Sequence, residues 1–381
     1  PPRDEWESLC ERPLMNQTRL IASVKDIVRM VMLKGDEALI DYAEKYDAAK
    51  LETILCSAEE IKESEKDVSV VLKDNIRLAI ANIKKFHEAQ MPKKKFIKTM
   101  PGVRCWREAR PIEKVGIYIP GGTAPLFSTV LMLAIPAVLA GCKEIVLCSP
   151  PRKDGTLHPA IIWAAKEAGV THICKAGGAQ AIAAMTFGTE SIPKVYKILG
   201  PGNQYVTAAK LFVASTENVA IDMPAGPSEV LVLADRHANI EFIAADLLSQ
   251  AEHGKDSQAI LVTDDTDMLE KVRSEVIEQL DTLPRSEIAE HALIDSKIIY
   301  FEDQQTCLDF SNEYAPEHLI LNTENAVDLI GSVMNAGSVF VGDLSPESVG
   351  DYASGTNHTL PTAGFAKNYS GVSLDSYFKM V

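Results

Sequence analysis

Val115-Gly116-Ile117-Tyr118-Ile119-Pro120-Gly121-Gly122 is the stretch on which the fold turns. A short run of β-branched and aromatic residues breaks into a proline-glycine turn, as a strand does when it delivers the chain to a loop. From Pro111 onward that rhythm recurs, with β-type runs at 115–119, 144–148, 172–175, 195–199, 230–233, 259–263 and 338–341. Helix-like segments such as 159–168 and 240–251 lie between them. Strand and helix in alternation mark parallel sheets whose faces are covered by helices. The predicted class is α/β, with room for one such unit over 111–228 and another over 229–366.

The first hundred residues read as helical. Asn16 is a candidate N-cap for an apolar stripe of Leu20, Ile21, Val24, Ile27, Val28 and Val31, which Gly35 ends. Ser57 and Glu60 have the spacing of a capping box ahead of a second stripe, Leu72, Ile76, Ala79, Ile80 and Ile83. His87, at the edge of that stripe, reads as structural.

Of the 381 residues, 46% are hydrophobic and 24% charged, as expected of a soluble globular protein large enough for two or more domains. A net charge of −15 argues against nucleic acid as the main partner, and Lys93-Lys94-Lys95 reads as a solvated face. The longest apolar run, 130–140, is broken by Pro136 and falls short of the ~20 residues that span a bilayer. No signal-peptide pattern opens the chain, and a start at Pro-Pro and a stop at Val381 lead us to expect a chain cut at both ends. The seven cysteines (10, 56, 105, 142, 148, 174 and 307) form no C-x-x-C pair, so reduced thiols in a cytoplasmic protein are expected. Cys142 or Cys148 as a nucleophile competes with packing, and packing is the preferred reading.

Glycine-rich turns follow several runs: Pro120-Gly121-Gly122, Gly177-Gly178 and Gly200-Pro201-Gly202-Asn203. Ligands of open α/β sheets gather at such loops. None is a G-x-G-x-x-G turn, because Tyr205 stands where the third glycine would be. Three further segments carry chemistry. Ser249-Gln250-Ala251-Glu252-His253-Gly254 places an amide and an imidazole three residues apart on one helical face, with Gly254 as the stop. Ala315-Pro316-Glu317-His318-Leu319 sets a carboxylate beside an imidazole. Neighbours on a strand point to opposite faces, so both reach one pocket only from a turn, which Pro316 favours. Gly350 to His358 adds Asp351 and another histidine. Gln250, His253 and Asp351 are metal-ligand types, and Glu317 with His318 is an acid/base pair.

These blocks, with Gly177-Gly178-Ala179-Gln180-Ala181 and Ala225-Gly226-Pro227-Ser228-Glu229, resemble histidinol dehydrogenases in kind and order. The resemblance implies two incomplete Rossmann-like domains of the aldehyde dehydrogenase kind. They comprise an NAD-binding domain over 111–228 and a zinc/catalytic domain over 229–366. Residues 1–110 would form a helical region packing on the second domain, and 367–381 would start a dimerisation segment. It implies zinc- and NAD-dependent oxidation of L-histidinol through the aldehyde to L-histidine by a homodimer. By matching motif, Gln250, His253 and Asp351 correspond to zinc ligands and Glu317 and His318 to the catalytic pair. Ser228 and His358, with Gln250, His253, His318 and Asp351, correspond to substrate contacts; Tyr118, Gln180 and Asn203 line the NAD site. The family's fourth zinc ligand is a histidine of a partner's C-terminal segment, which would follow Val381. The alternative is a related zinc/NAD dehydrogenase acting on another small amino or sulfonated alcohol.

Overall fold

The computed structural model describes residues 1–13, 17–121, 125–352 and 354–381. The chain divides into two compact units. The first holds Thr18–Asp222, Tyr352–Thr359 and Val372–Val381; the second holds Pro1–Gln17, Met223–Asp351 and Leu360–Gly371.

Helices open the first unit. Gln17–Lys34 buries Leu20, Val24, Ile27, Val28 and Val31, but Ile21 is 41% exposed. Ile21 sits about 100° from Leu20 around the axis, outside the arc of the other five. Asn16 lies outside the described residues. Gly35, with φ of 55°, ends the helix and turns the chain into Asp36–Asp47. The capping box is present: Glu60 N donates to Ser57 Oγ (3.1 Å) and Ser57 N donates to Glu60 Oε2 (2.7 Å). In Val70–Glu88, His87 is fully buried with Nδ1 3.0 Å from Gln90 Oε1, a packed histidine.

The helical reading of the first hundred residues missed an antiparallel hairpin, β1 (Phe96–Met100) with β2 (Val103–Trp106). After β3 (Ala109–Pro111) comes a parallel sheet of β4 (Lys114–Tyr118), β5 (Glu144–Ser149), β6 (His172–Lys175), β7 (Lys197–Leu199) and β8 (Ala220–Ile221). Its order is β6-β5-β4-β7-β8, so the chain reverses direction across the sheet between β4 and β7. Phe127–Ala140, which carries the long apolar run and Pro136, is a core helix buried nearly all round. Among the described residues no helix is long and apolar enough to cross a membrane.

Residues 1–110 do not pack on the second sheet as a block. Val24, Val31 and Leu39 share one apolar cluster with Val146, Ala181 and Ile198 of the first unit. Among the described residues of this region, those up to Gln17 group with the second unit, where Trp6 meets Phe301 and Phe310 edge-on. The stripe of Gln17–Lys34 therefore finds its apolar complement on the sheet that follows it in the chain, which shortens the loop to be closed.

The second unit repeats the topology with β9 (Glu229–Ala234), β10 (Gln258–Thr263), β11 (Lys297–Tyr300), β12 (His318–Asn322) and β13 (Ser338–Val341), ordered β11-β10-β9-β12-β13 and all parallel. Alternation divides the faces: Val230, Val232 and Ile320 enter one core, while Leu231, Leu233, Leu319 and Leu321 enter the other. The chain closes in the first unit with β14 (Phe378–Met380) antiparallel to β3.

Candidate active site

The polar cluster of the second unit lies at the amino ends of its strands. The helix Ile240–Ala251 runs toward this end, so Gln250 leaves its last turn. His253 stands in the turn beyond, its N–H donating to Gln250 O at 3.2 Å. The helix thus stops before the predicted Gly254, which is not in a left-handed conformation. Glu252 N–H, shared between Leu248 O and Gln250 O, tightens the last turn and closes it without a glycine.

Asp351 comes from the short helix Glu347–Tyr352, with Oδ2 4.0 Å from His253 Nε2. Glu347, one turn earlier on the same face, joins them, and the donor atoms of His253, Glu347 and Asp351 lie within 4.8 Å of one another. The sequence reading overlooked Glu347, although its i, i+4 spacing from Asp351 was a signal of the same kind as the Gln250–His253 pair. Glu347 is 1% exposed and accepts from Ser249 Oγ (3.0 Å). Burial, helped by the neighbouring Asp351 charge, pushes its carboxyl well above the usual range. Gln250 is fully buried, and neither atom of its amide has a hydrogen-bond partner. Each such group costs about 1–3 kcal/mol. A ligand that engages the amide recovers that energy.

Beside this cluster, Ala315 (φ 54°) ends the helix Gln304–Tyr314, Pro316 turns the chain, and Glu317 precedes His318, the first residue of β12. The turn brings both side chains together, with Glu317 Oε2 3.5 Å from His318 Nδ1. Each is held by the main chain of Glu229: its N–H donates to Glu317 Oε2 (2.9 Å), and its carbonyl lies 3.0 Å from His318 Nδ1. A carbonyl can only accept, so Nδ1 carries the proton. The lone pair of the neutral ring is then on Nε2, which is 4.0 Å from Glu347 Oε1. Burial pushes the Glu317 carboxyl well up against the pull of the Glu229 N–H. Ser228, half-buried, sits at the same end of the sheet, its carbonyl accepting from Gln258 N (3.1 Å). His358 belongs to the first unit, where its Nε2 is 2.9 Å from Thr129 Oγ1.

At the other end of the first sheet, the carboxyl ends of the strands open onto a cavity of about 880 Å³ lined by Tyr118, Gln180, Asn203, Pro120, Ser149 and Asp47 among others. Tyr118 Oη accepts from Gly178 N (2.9 Å), at the start of the helix Gly178–Phe187 that carries Gln180. Asn203 caps Gln204–Thr216, its Oδ1 accepting from Tyr205 N (3.1 Å) and Val206 N (3.2 Å). Two helix N-termini thus border the cavity, an arrangement suited to anionic groups. Gly200 is required here: its φ is 125°, and a Cβ would stand 2.3 Å from Tyr118 O. The candidate thiols fit packing, since Cys148 is fully buried and burial pushes Cys142 up to about 12.

The family model described as histidinol dehydrogenase matches residues 10–381. The histidinol dehydrogenase of Bacteroides fragilis is 58% identical over 381 residues, covering 100% of this chain and 89% of that protein. The chain belongs to the histidinol dehydrogenase family. Members of this family are oxidoreductases. A crystal structure of histidinol dehydrogenase from Elizabethkingia anophelis superposes with a TM-score of 0.96 at 56% identity, covering 100% of this chain and 88% of that one. A probable aldehyde dehydrogenase from Listeria monocytogenes shares the fold, with a TM-score of 0.52 at 14% identity over 99% of this chain and 93% of that one. The predicted α/β class of the aldehyde dehydrogenase kind is therefore the observed one.

Proposed function

We propose that the chain oxidises L-histidinol through L-histidinal to L-histidine, using zinc and NAD, as a cytoplasmic homodimer. One observation carries the reading: the exposed His253 imidazole and the buried Glu347 and Asp351 carboxylates gather beside the buried Glu317–His318 pair at one end of a sheet. The donor set fits zinc, which takes nitrogen and oxygen ligands. Gln250, His253 and Asp351 would hold it, with Glu347 in the same cluster. The cavity at the carboxyl ends of β4, β5 and β7 fits a dinucleotide, bordered by Tyr118, Gln180 and Asn203. When bound, zinc would orient the substrate's nitrogens and NAD would take up hydride.

The chain's own residues move the protons. Held by the Glu229 carbonyl, His318 presents Nε2 as the base for the alcohol proton while the carbinol carbon loses hydride. The aldehyde then adds water: Glu317 takes one proton of that water and delivers it to the former carbonyl oxygen, giving the neutral hydrate and restoring the carboxylate. Having returned its first proton to solvent, His318 accepts a proton from the hydrate as its carbon loses the second hydride, leaving the carboxylic acid. Ser228 and His358 would contact the substrate. The seven cysteines are free thiols, and a thiohemiacetal route finds no cysteine in the blocks around Glu317 and His318.

The test is NADH formation from L-histidinol, with and without a chelator. Two NADH per histidinol, lost on chelation and restored by zinc, is the expected result. Turnover of a different amino alcohol with none of histidinol would overturn the substrate assignment.

A further inference from the structure

Arg12 lies outside every motif, yet it touches both backbone segments that carry the catalytic pair. Its Nε and Nη2 lie 3.2 and 3.3 Å from the Glu229 carboxylate oxygens, and Nη2 also donates to Tyr314 O at 2.6 Å. Nη1 donates to Cys10 O (2.8 Å), and the guanidinium stacks 3.7 Å from the centre of the Tyr314 ring. The ion pair is nearly dry, with side chains 11% and 3% exposed.

The two anchored segments have specific positions. Glu229 is the residue whose N–H binds Glu317 Oε2 and whose carbonyl holds His318 Nδ1. It stands one residue ahead of the point where β9 pairs with β12, Val230 facing His318. Its peptide groups are thereby committed to the two catalytic side chains. Tyr314 is the last residue of its helix, and Ala315-Pro316 runs from it directly into Glu317. The Glu229 carboxylate is further fixed by Ala363 N (2.7 Å), and Tyr314 Oη donates to Gln258 Oε1 (2.7 Å) on β10.

We propose that Arg12, through the Glu229 carboxylate and the Tyr314 carbonyl, is a positioning residue. It fixes the main chain that sets the tautomer of His318 and the aim of Glu317. A planar fork with five donors can bridge a carboxylate and a carbonyl at once, which a lysine ammonium does less rigidly. The inference concerns the proton-transfer roles proposed for Glu317 and His318 and rests on that reading.

The test compares Arg12→Lys with the double variant Arg12→Met/Glu229→Gln. The double variant removes both buried charges together and avoids leaving one unpaired, so it should fold even where a single deletion does not. The expected loss is about 10–100-fold in kcat, the scale of small misplacements of catalytic groups, with the histidinol KM, NAD affinity and zinc affinity within about threefold of wild type. Arg12→Lys should fall between. The readout that a purely structural role would not move is the ¹⁵N signature of His318. Wild type should show an Nδ1–H ring, and the double variant a mixture of tautomers. Folded variants with wild-type kcat and an unchanged Nδ1–H signal would overturn the proposal, as would a kcat loss explained entirely by a smaller folded fraction. If His318→Asn retains activity, the proton-transfer reading itself fails. A His318→Asn variant that is inactive beside an Arg12 variant that is fully active sinks only the role of Arg12.

Discussion

The two parallel sheets share one strand order but place their polar chemistry at opposite ends. In the first, the crevice where the order reverses, between β4 and β7, opens at the carboxyl ends into the large cavity among glycine-rich turns. In the second, the equivalent crevice between β9 and β12 is a smaller cavity of about 430 Å³ lined by Glu324, Asp328 and Asp343. Carboxylates at that position would repel a pyrophosphate, whereas the first cavity is bordered by helix N-termini that attract one. The titratable cluster of the second unit lies instead at the amino ends, around Glu229 and His318. Shared topology therefore does not fix where a site forms. Loop glycines and the sign of the local charge decide whether the customary crevice can take a nucleotide.

The sharpest way to break this division is His318→Asn. It deletes the proposed base at the amino end of the second sheet and touches nothing in the first cavity. We expect about 10²–10⁴-fold loss of turnover in both half-reactions, with NAD and zinc affinities unchanged. Single-turnover assays begun from histidinol and from histidinal measure it, and NAD affinity falling together with turnover would erase the distinction. Glu317→Gln should act more narrowly, slowing the aldehyde half by about 10²-fold while largely sparing the alcohol half. Equal losses in both halves would merge the roles of the pair.

The complementary break is Gly200→Ala. A methyl group there meets Tyr118 O at 2.3 Å in a backbone conformation with φ of 125°. The strain is about 1–3 kcal/mol, and the deformation falls on the Tyr118 side of the cavity. NAD affinity should weaken about tenfold or more, with zinc binding unaltered; calorimetric titration of each ligand separates the two.

How much of this could be read from the sequence follows the range of the contacts involved. Strands 172–175 and 338–341 coincide with β6 and β13, because parallel strands, buried as in β6 or half-buried as in β13, announce themselves locally as short apolar runs. The capping box at Ser57 and the Glu317–His318 turn were legible for the same reason: their partners are a few residues apart. β12 was obscured because its first residue, His318, had been read as part of a turn motif. The hairpin β1–β2 escaped because all nine of its residues are exposed and carry no burial pattern. Arg12 could not be found at all, since its partners lie 217 and 302 residues along the chain. Glu347 was within reach through spacing alone, but without a neighbouring motif it looked like any helix-opening acid.

The smallest predicted effect tests whether the first cavity is as free of carboxylates as the comparison implies. Asp47, the last residue of Asp36–Asp47, lines it and has a buried, unpartnered Oδ2. Burial pushes its carboxyl up to about 6, and a negative charge at a helix C-terminus is unfavourable as well. Between the ordinary carboxylate value near 4 and about 6, the folded state binds more protons than the unfolded state. Stability attributable to this group is therefore full below pH ~4, falls as pH rises through that window, and is level above it. Two pH units would set an upper limit of about 2.7 kcal/mol, and the partial solvent contact of Asp47 reduces this to about 1 kcal/mol. Asp47→Asn should remove that slope, so that its stability relative to wild type is about 1 kcal/mol more favourable at pH 7 than at pH 4.5. Urea denaturation of both proteins at the two pH values measures it. Parallel pH profiles for wild type and variant would mean that the carboxylate is already satisfied, and that the electrostatic contrast between the two crevices rests on the second sheet alone.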